Sequence, residues 1–175
     1  MSYNSDQFRL TIRRVLKSLP NPYNSNESTW SKSAENLLLG TAAVESDFGT
    51  YLIQKGHEDN IGTAKSPFQI EDATFLDSLQ YIKTEKRDHW NLLNQAIRSE
   101  YMIYGNNPQP KELMYNLGLG ICLCRVKYLR VPHSLPLHDK INALGSYWKF
   151  HYNASGKNVP EEIDRFGVKY RKYVE

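Results

Sequence analysis

Leu37-Leu38-Leu39-Gly40-Thr41-Ala42-Ala43-Val44-Glu45-Ser46-Asp47-Phe48-Gly49 is the stretch on which the reading of the chain turns. Nothing from Leu37 to Val44 carries a charge, so a helix through it has no solvent face and is buried on nearly every side. Ser31 or Ser33 can cap that helix, Glu35 suits its first turn, and Gly49 follows its end, which predicts a helix over roughly Lys32 to Phe48. At about 100° per residue Glu45 projects between Leu38 and Thr41, with Leu37, Val44 and Phe48 on one side and Ala42 on the other. Burial disfavours an ionised carboxylate, and the negative end of the helix dipole pushes the same way. Glu45 therefore has the surroundings of a general acid working near neutral pH, although pairing with a Lys or Arg, or escape to solvent at the helix end, would leave it purely structural.

Outward from this helix the apolar period is helical almost throughout. Phe8, Ile12, Val15, Leu16 and Leu19 mark one helix that Pro20 and Pro22 stop, and the polar stretch Asn21 to Thr29 reads as a loop. Residues 1–30 thus form an N-terminal helix and loop extension of a single domain spanning 1–175. Periodicity fails from Gly49 to Ile70, a long irregular segment with room for a small β element, and segments of that kind are usually functional or mobile. Asp72 then caps a helix carrying Phe75, Leu76, Leu79 and Ile82, and Trp90, Leu93 and Ile97 mark the next. Pro110 opens the longest run, through Leu113, Leu117, Ile121, Cys124 and Tyr128, and Pro132 and Pro136 break it. Two helices remain, about Asp139 to Tyr152 and about Pro160 to Tyr173, so the fold class is mainly α.

Composition removes several functions. In 175 residues, Lys and Arg number 22 and Asp and Glu 19, a net charge of +3, without the basic excess that phosphate neutralisation requires, so no nucleic-acid partner is expected. No basic segment followed by an apolar run opens the chain, and no apolar run is long enough to span a bilayer, so synthesis in a cytosol without membrane insertion is expected. Cys122 and Cys124 sit two apart on a helix, point in different directions, and read as small packing residues. His57, His89, His133, His138 and His151 show no ligand spacing, which predicts no metal and no cofactor. The stretch Lys169-Tyr170-Arg171-Lys172-Tyr173 reads as an exposed face that could dock a partner.

The segment Ala42 to Gly49, followed after the irregular loop by Ser66-Pro67-Phe68-Gln69-Ile70-Glu71-Asp72-Ala73-Thr74, resembles the lysozyme-like superfamily in its lytic transglycosylase and goose-type lysozyme branch. There a Glu-Ser pair ends a buried helix and a Gly-rich stretch ending in Gln lines the cleft. The similarity is closest to small virion-associated proteins of tailed bacteriophages, through Arg125 to Pro132 and Tyr147 to Asn153, and runs from about Leu37 to the C-terminus. The resemblance implies a lysozyme-like domain in which Glu45 is the catalytic acid and base at the bond between N-acetylmuramic acid and N-acetylglucosamine. It implies that Ser46 supports the Glu or the fold by hydrogen bonding and that Phe68 and Gln69 bind substrate. The family's late Tyr maps either to Tyr147, by the residues before it, or to Tyr152, by the Asn after it, with Tyr147 preferred. The chain departs from the pattern at Ser66-Pro67, where a Gly and an apolar residue are usual, and at Asp72, where Pro is usual, and these swaps predict a narrower groove and weaker catalysis.

Two carboxylates serve a conventional glycosidase, about 5–5.5 Å apart for retention or 6.5–9.5 Å for inversion. Asp47, Glu58, Asp59, Glu71 and Asp72 are the candidates for a second, with Glu71 the one retained, and no spacing singles any out. A transglycosylase needs only one Glu, because the muramoyl 6-hydroxyl replaces water and leaves a 1,6-anhydro product. The resemblance thus implies a peptidoglycan lytic transglycosylase of a phage, acting on glycan strands of the host cell wall, with other virion tail or baseplate proteins as expected partners. A hydrolytic lysozyme, a structural virion protein keeping the fold without activity, and a peptidoglycan-binding module are the alternative expectations.

Overall fold

The computed structural model describes residues 2–54, 62–86, 88–105, 108–154 and 158–175. Among these residues the chain forms seven α-helices: α1 (Ser5–Ser18), α2 (Lys32–Ser46), α3 (Asp72–Thr84), α4 (Trp90–Tyr101), α5 (Leu117–Leu129), α6 (Ile141–His151) and α7 (Val159–Tyr173). A 3-10 turn at Pro110–Met114 and one antiparallel hairpin of β1 (Pro20–Asn21) and β2 (Asn24–Ser28) complete the list, so the protein is mainly helical. No helix among the described residues is long and apolar enough to cross a membrane.

Helices α2 and α5 have almost no polar face and are buried along most of their length. Amphipathic neighbours cover them: α1, α6 and α7 pack on α2, and α1, α3 and α4 on α5. Small residues bring α2, α6 and α7 together. Phe166 of α7 fills the notch between Gly40 and Gly145, where a Cβ at Gly40 would lie 2.1 Å from the Phe166 ring. Cys122 and Cys124 are free and buried in α5.

Several boundaries depart from the sequence expectation. The stretch read as a loop from Asn21 to Thr29 holds the hairpin, paired Pro20 to Ser28 and Asn21 to Asn24. Backbone bonds pair its strands and the side chains of β2 are largely exposed, so no alternation of apolar residues announces it. The run from Pro110 is two elements, because Asn116 accepts a bond from Leu119 N at 3.0 Å and starts a fresh helix after the 3-10 turn. Glu71, not Asp72, occupies the N-cap of α3, since Asp72 is already helical and its carboxylate pairs with Lys65 at 2.5 Å. In the irregular segment only isolated bridges, Ile53 to Lys65 and Lys65 to Ile70, occur among the described residues. In the C-terminal stretch Arg171 and Lys172 are exposed, whereas Tyr170 is buried, Lys169 pairs with Asp47, and Tyr173 stacks on Phe48.

Glu35, deep under the first turn of α2, is wholly buried and gathers four donors: Arg9 at 2.9 Å, Arg13 at 2.7 Å, Lys32 at 3.1 Å and Trp30 Nε1 at 2.9 Å. This cluster fixes the N-terminal helix to α2. It shows that residues 1–30 are packed into the main body rather than appended to it.

Candidate active site

Glu45 ends α2 where the backbone turns sharply. Asp47, Phe48 and Gly49 take φ of 51°, 58° and 78°, a run of left-handed residues that only Gly adopts freely, and Phe48 N closes the helix on Ala42 O at 3.0 Å. Ser46 holds this turn to the next segment: its buried Oγ lies 2.7 Å from Pro67 O and 3.0 Å from Ala42 O, and accepts from Gly49 N at 2.8 Å. The Ser66 to Ile70 segment is thereby pinned beside the end of α2. Ser66 and Gln69 have φ of 71° and 47°, and Lys65 and Ile70 exchange backbone bonds of 2.9 and 2.8 Å, so the segment closes as a tight loop. Gln69 Nε2 donates to Ser66 O at 3.0 Å and Tyr51 O at 3.3 Å, which fixes its side chain in the loop.

These elements enclose a cleft of about 290 Å³ whose walls include Glu45, Gln69, Glu71, Thr74, Lys127 and Tyr152. Glu45 accepts one strong bond, from Trp148 Nε1 at 2.9 Å. Burial raises its pKa from 4.5 to about 7, against the opposing pull of the Trp148 bond and of the Arg165 and Lys127 charges. Glu35 on the same helix goes the other way. Burial would raise it too, but hydrogen bonds from Arg13, Trp30, Arg9 and Lys32 outweigh that and hold it well below the usual carboxylate range. The two carboxyls of one helix are thus pushed to opposite sides of the ordinary glutamate range.

The cleft brings together Glu45, Gln69, Glu71 and Tyr152 from the sequence reading. It does not bring in three others. Ser46 and Phe68 are fully buried behind the wall, Ser46 in the turn just described and Phe68 in the aromatic core against Phe8. Tyr147 turns its hydroxyl to His133 O at 3.0 Å and packs on Tyr128 and His151, so the late Tyr at the cleft is Tyr152, not the preferred Tyr147. Tyr152 is itself buried at the cleft: its hydroxyl donates to Phe68 O at 2.8 Å and its ring packs on Tyr128. Asp47 is occupied by Lys169, while His57, Glu58 and Asp59 lie outside the described residues.

The Ser66-Pro67 and Asp72 departures put no side chain into the cleft wall among the described residues. Ser66 instead sits at the left-handed position where Gly is the ordinary residue, fully buried, its Oγ accepting from Phe68 N at 3.2 Å.

Two site residues escaped the sequence reading. Trp148 fell at core spacing, and only its buried indole N–H, which needs an acceptor, hinted at a polar partner. Lys127 interrupts the apolar run of α5. Its ammonium donates to Tyr152 O at 2.9 Å and lies 3.9 Å from the Tyr152 ring centre, and burial lowers its pKa. Lys127→Met keeps the stem and removes the charge that favours ionised Glu45. A carbon-detected NMR titration of Glu45 in that variant is expected to place its pKa above the wild-type value of about 7; an unchanged value refutes the coupling.

No group of three or more His, Cys, Asp or Glu side chains arranged to hold a metal occurs among the described residues. Comparison with protein-family models, with curated proteins and with solved structures finds no match. The chemistry of the site therefore rests on its own residues.

Proposed function

We propose that the protein is a glycan-cleaving enzyme, a lytic transglycosylase acting on peptidoglycan, with Glu45 as its acid and then its base. The observation that carries this is the Glu45 carboxyl, raised to about 7 by desolvation, at the wall of an open polar cleft and steadied by the Trp148 indole N–H. A group protonated in part at neutral pH can give its proton to a glycosidic oxygen and take one back from the incoming hydroxyl. Gln69 and Thr74 offer polar contacts to the hydroxyl and acetamido groups of a pyranose. The likeness of Ala42 to Gly49 and of Phe68 to Thr74 to the transglycosylase and goose-type lysozyme branch names the glycan as murein, and extends the reading to a lysozyme-like fold and a phage virion setting, with tail or baseplate proteins as neighbours.

A hydrolytic reading has its own support, because Glu71 lines the same cleft and could activate water there. Mass spectrometry of murein digested with the protein separates the two. Muramoyl 1,6-anhydro ends are the expected result, exclusively reducing ends would make the enzyme a lysozyme, and no released fragments would refute both.

A further inference from the structure

Helices α1 and α7 each turn to solvent a stripe of charge that the chain itself leaves unanswered. On α1 the stripe is Asp6, Leu10, Arg14 and Lys17, stepping by four, four and three residues, and all four are exposed. On α7 it is Glu161, Asp164, Val168 and Lys172, stepping by three, four and four, and these are exposed too. Steps of three and four keep each set on one side of its helix. Leu10 and Val168 are left 59% and 57% open to water.

The remaining charges near these stripes are matched within the chain. Arg9 and Arg13 meet Glu35, Arg165 meets Glu162, and Lys169 meets Asp47. Among the described residues no ion pair within the chain engages Asp6, Arg14, Lys17, Glu161, Asp164 or Lys172. The Lys17 and Lys172 ammonium groups rest over the Trp30 and Tyr173 rings, 4.8 and 4.7 Å from the ring centres, contacts that leave their charge without a counterion.

The two stripes are mirror images in spacing. Laid antiparallel, α1 of one copy against α7 of another opposes Asp6 to Lys172, Leu10 to Val168, Arg14 to Asp164 and Lys17 to Glu161, so every charge meets its opposite and the two apolar side chains meet each other. The register holds over about 17 Å at 1.5 Å per residue. It also brings Arg13 beside Arg165, but each of these is already answered in its own chain. Antiparallel α1 on α1 would set Leu10 against Arg14, and α7 on α7 would set Val168 against Asp164, so the match is particular to α1 on α7. A hollow of about 700 Å³ beside α1, with Leu10, Arg14, Lys17 and Tyr101 among its walls, leaves room for an incoming side chain.

We propose that these faces form a self-association surface, on which α1 of one copy seats antiparallel along α7 of a second copy. The surface is independent of the chemistry at Glu45. Made once per copy, the contact propagates from copy to copy, and made twice across a two-fold axis it closes a dimer. A single helix pair is a small interface, so the association is weak and depends on concentration. Its ion pairs stay in contact with water, so salt weakens it.

Sedimentation velocity of the 175-residue chain over rising concentration, up to about 10⁻³ M, tests this. Species larger than a monomer are expected, growing with concentration and receding in about 1 M NaCl, where the screening length is about 3 Å. Arg14→Glu and, separately, Asp164→Arg are each expected to weaken the association about tenfold. A chain carrying both changes restores the pair with its signs exchanged and is expected to associate like wild type, a rescue that a merely misfolded variant cannot show. A monomer at every concentration, association indifferent to Arg14→Glu or to salt, or a double variant no stronger than the single ones overturns the surface.

Discussion

Glu45→Gln is expected to make the protein more stable above pH 7 and, on the proposed function, to abolish murein cleavage. In the unfolded chain this carboxyl titrates near 4.5, and in the folded protein near 7. Between those values the folded state holds a proton that the unfolded state has released, so stability falls as pH rises through the window and levels off above it. That difference corresponds to roughly 3 kcal/mol, reduced towards about 2 because the group opens on the cleft. Gln keeps the shape and an oxygen for Trp148 Nε1 but cannot ionise. Thermal denaturation of both proteins at pH 4 and pH 8 checks this: near-equality at pH 4 and a higher midpoint for the variant at pH 8, by about 2–4 °C for each kcal/mol, is the expected pattern. The same variant loses its proton donor, and murein cleavage is expected to drop by about 10²- to 10⁴-fold. Parallel stability curves across the range would show that Glu45 is not a buried acid, and undiminished cleavage would place the chemistry elsewhere.

What could be read beforehand about this site followed from contrast. A carboxylate after nine uncharged residues stands out in a linear sequence, and the two helices without a polar face, α2 and α5, stand out for the same reason. Glu45 and the mainly helical fold were legible on that account. Gln69 and Tyr152 were reachable only through motif likeness, because nothing in their spacing marks them. Trp148 and Lys127 were hidden in another way. Each lies on a helix whose neighbours are apolar, and only packing brings Trp148 to a residue 103 positions earlier. The hairpin of Asn24–Ser28 gave no signal because its side chains face water and its pairing is made by backbone groups that every sequence possesses. The boundary at Asn116 was missed because apolar periodicity continues across it while the backbone does not.

The second large effect belongs to Glu35 at the opposite end of α2. Its carboxylate is fully buried and answers Arg9, Arg13, Lys32 and the Trp30 indole at once, so it holds α1, the segment before α2 and α2 itself in one arrangement. Glu35→Gln leaves the cations facing an amide that cannot neutralise them. Breaking a buried pair from one side costs about 3–5 kcal/mol, and the lower end applies here because the Arg13 and Lys32 side chains are 34% and 42% exposed and can turn to water. Urea denaturation at pH 7 is expected to show a loss near 3 kcal/mol, and a loss under about 1 kcal/mol would mean that the cluster is ornamental to stability. The pH dependence has the opposite sign to that of Glu45. A carboxyl held below its unfolded value contributes stability that is complete above about pH 4.5 and is lost as pH falls towards its folded pKa. In wild type, Glu35 therefore penalises acid and Glu45 penalises the approach to neutrality, and the contributions of these two groups together peak near pH 4.5. In Glu35→Gln the acid limb flattens and the limb above pH 4.5 remains. In Glu45→Gln the reverse holds, so the two single variants assign each limb of the wild-type curve to one end of the same helix.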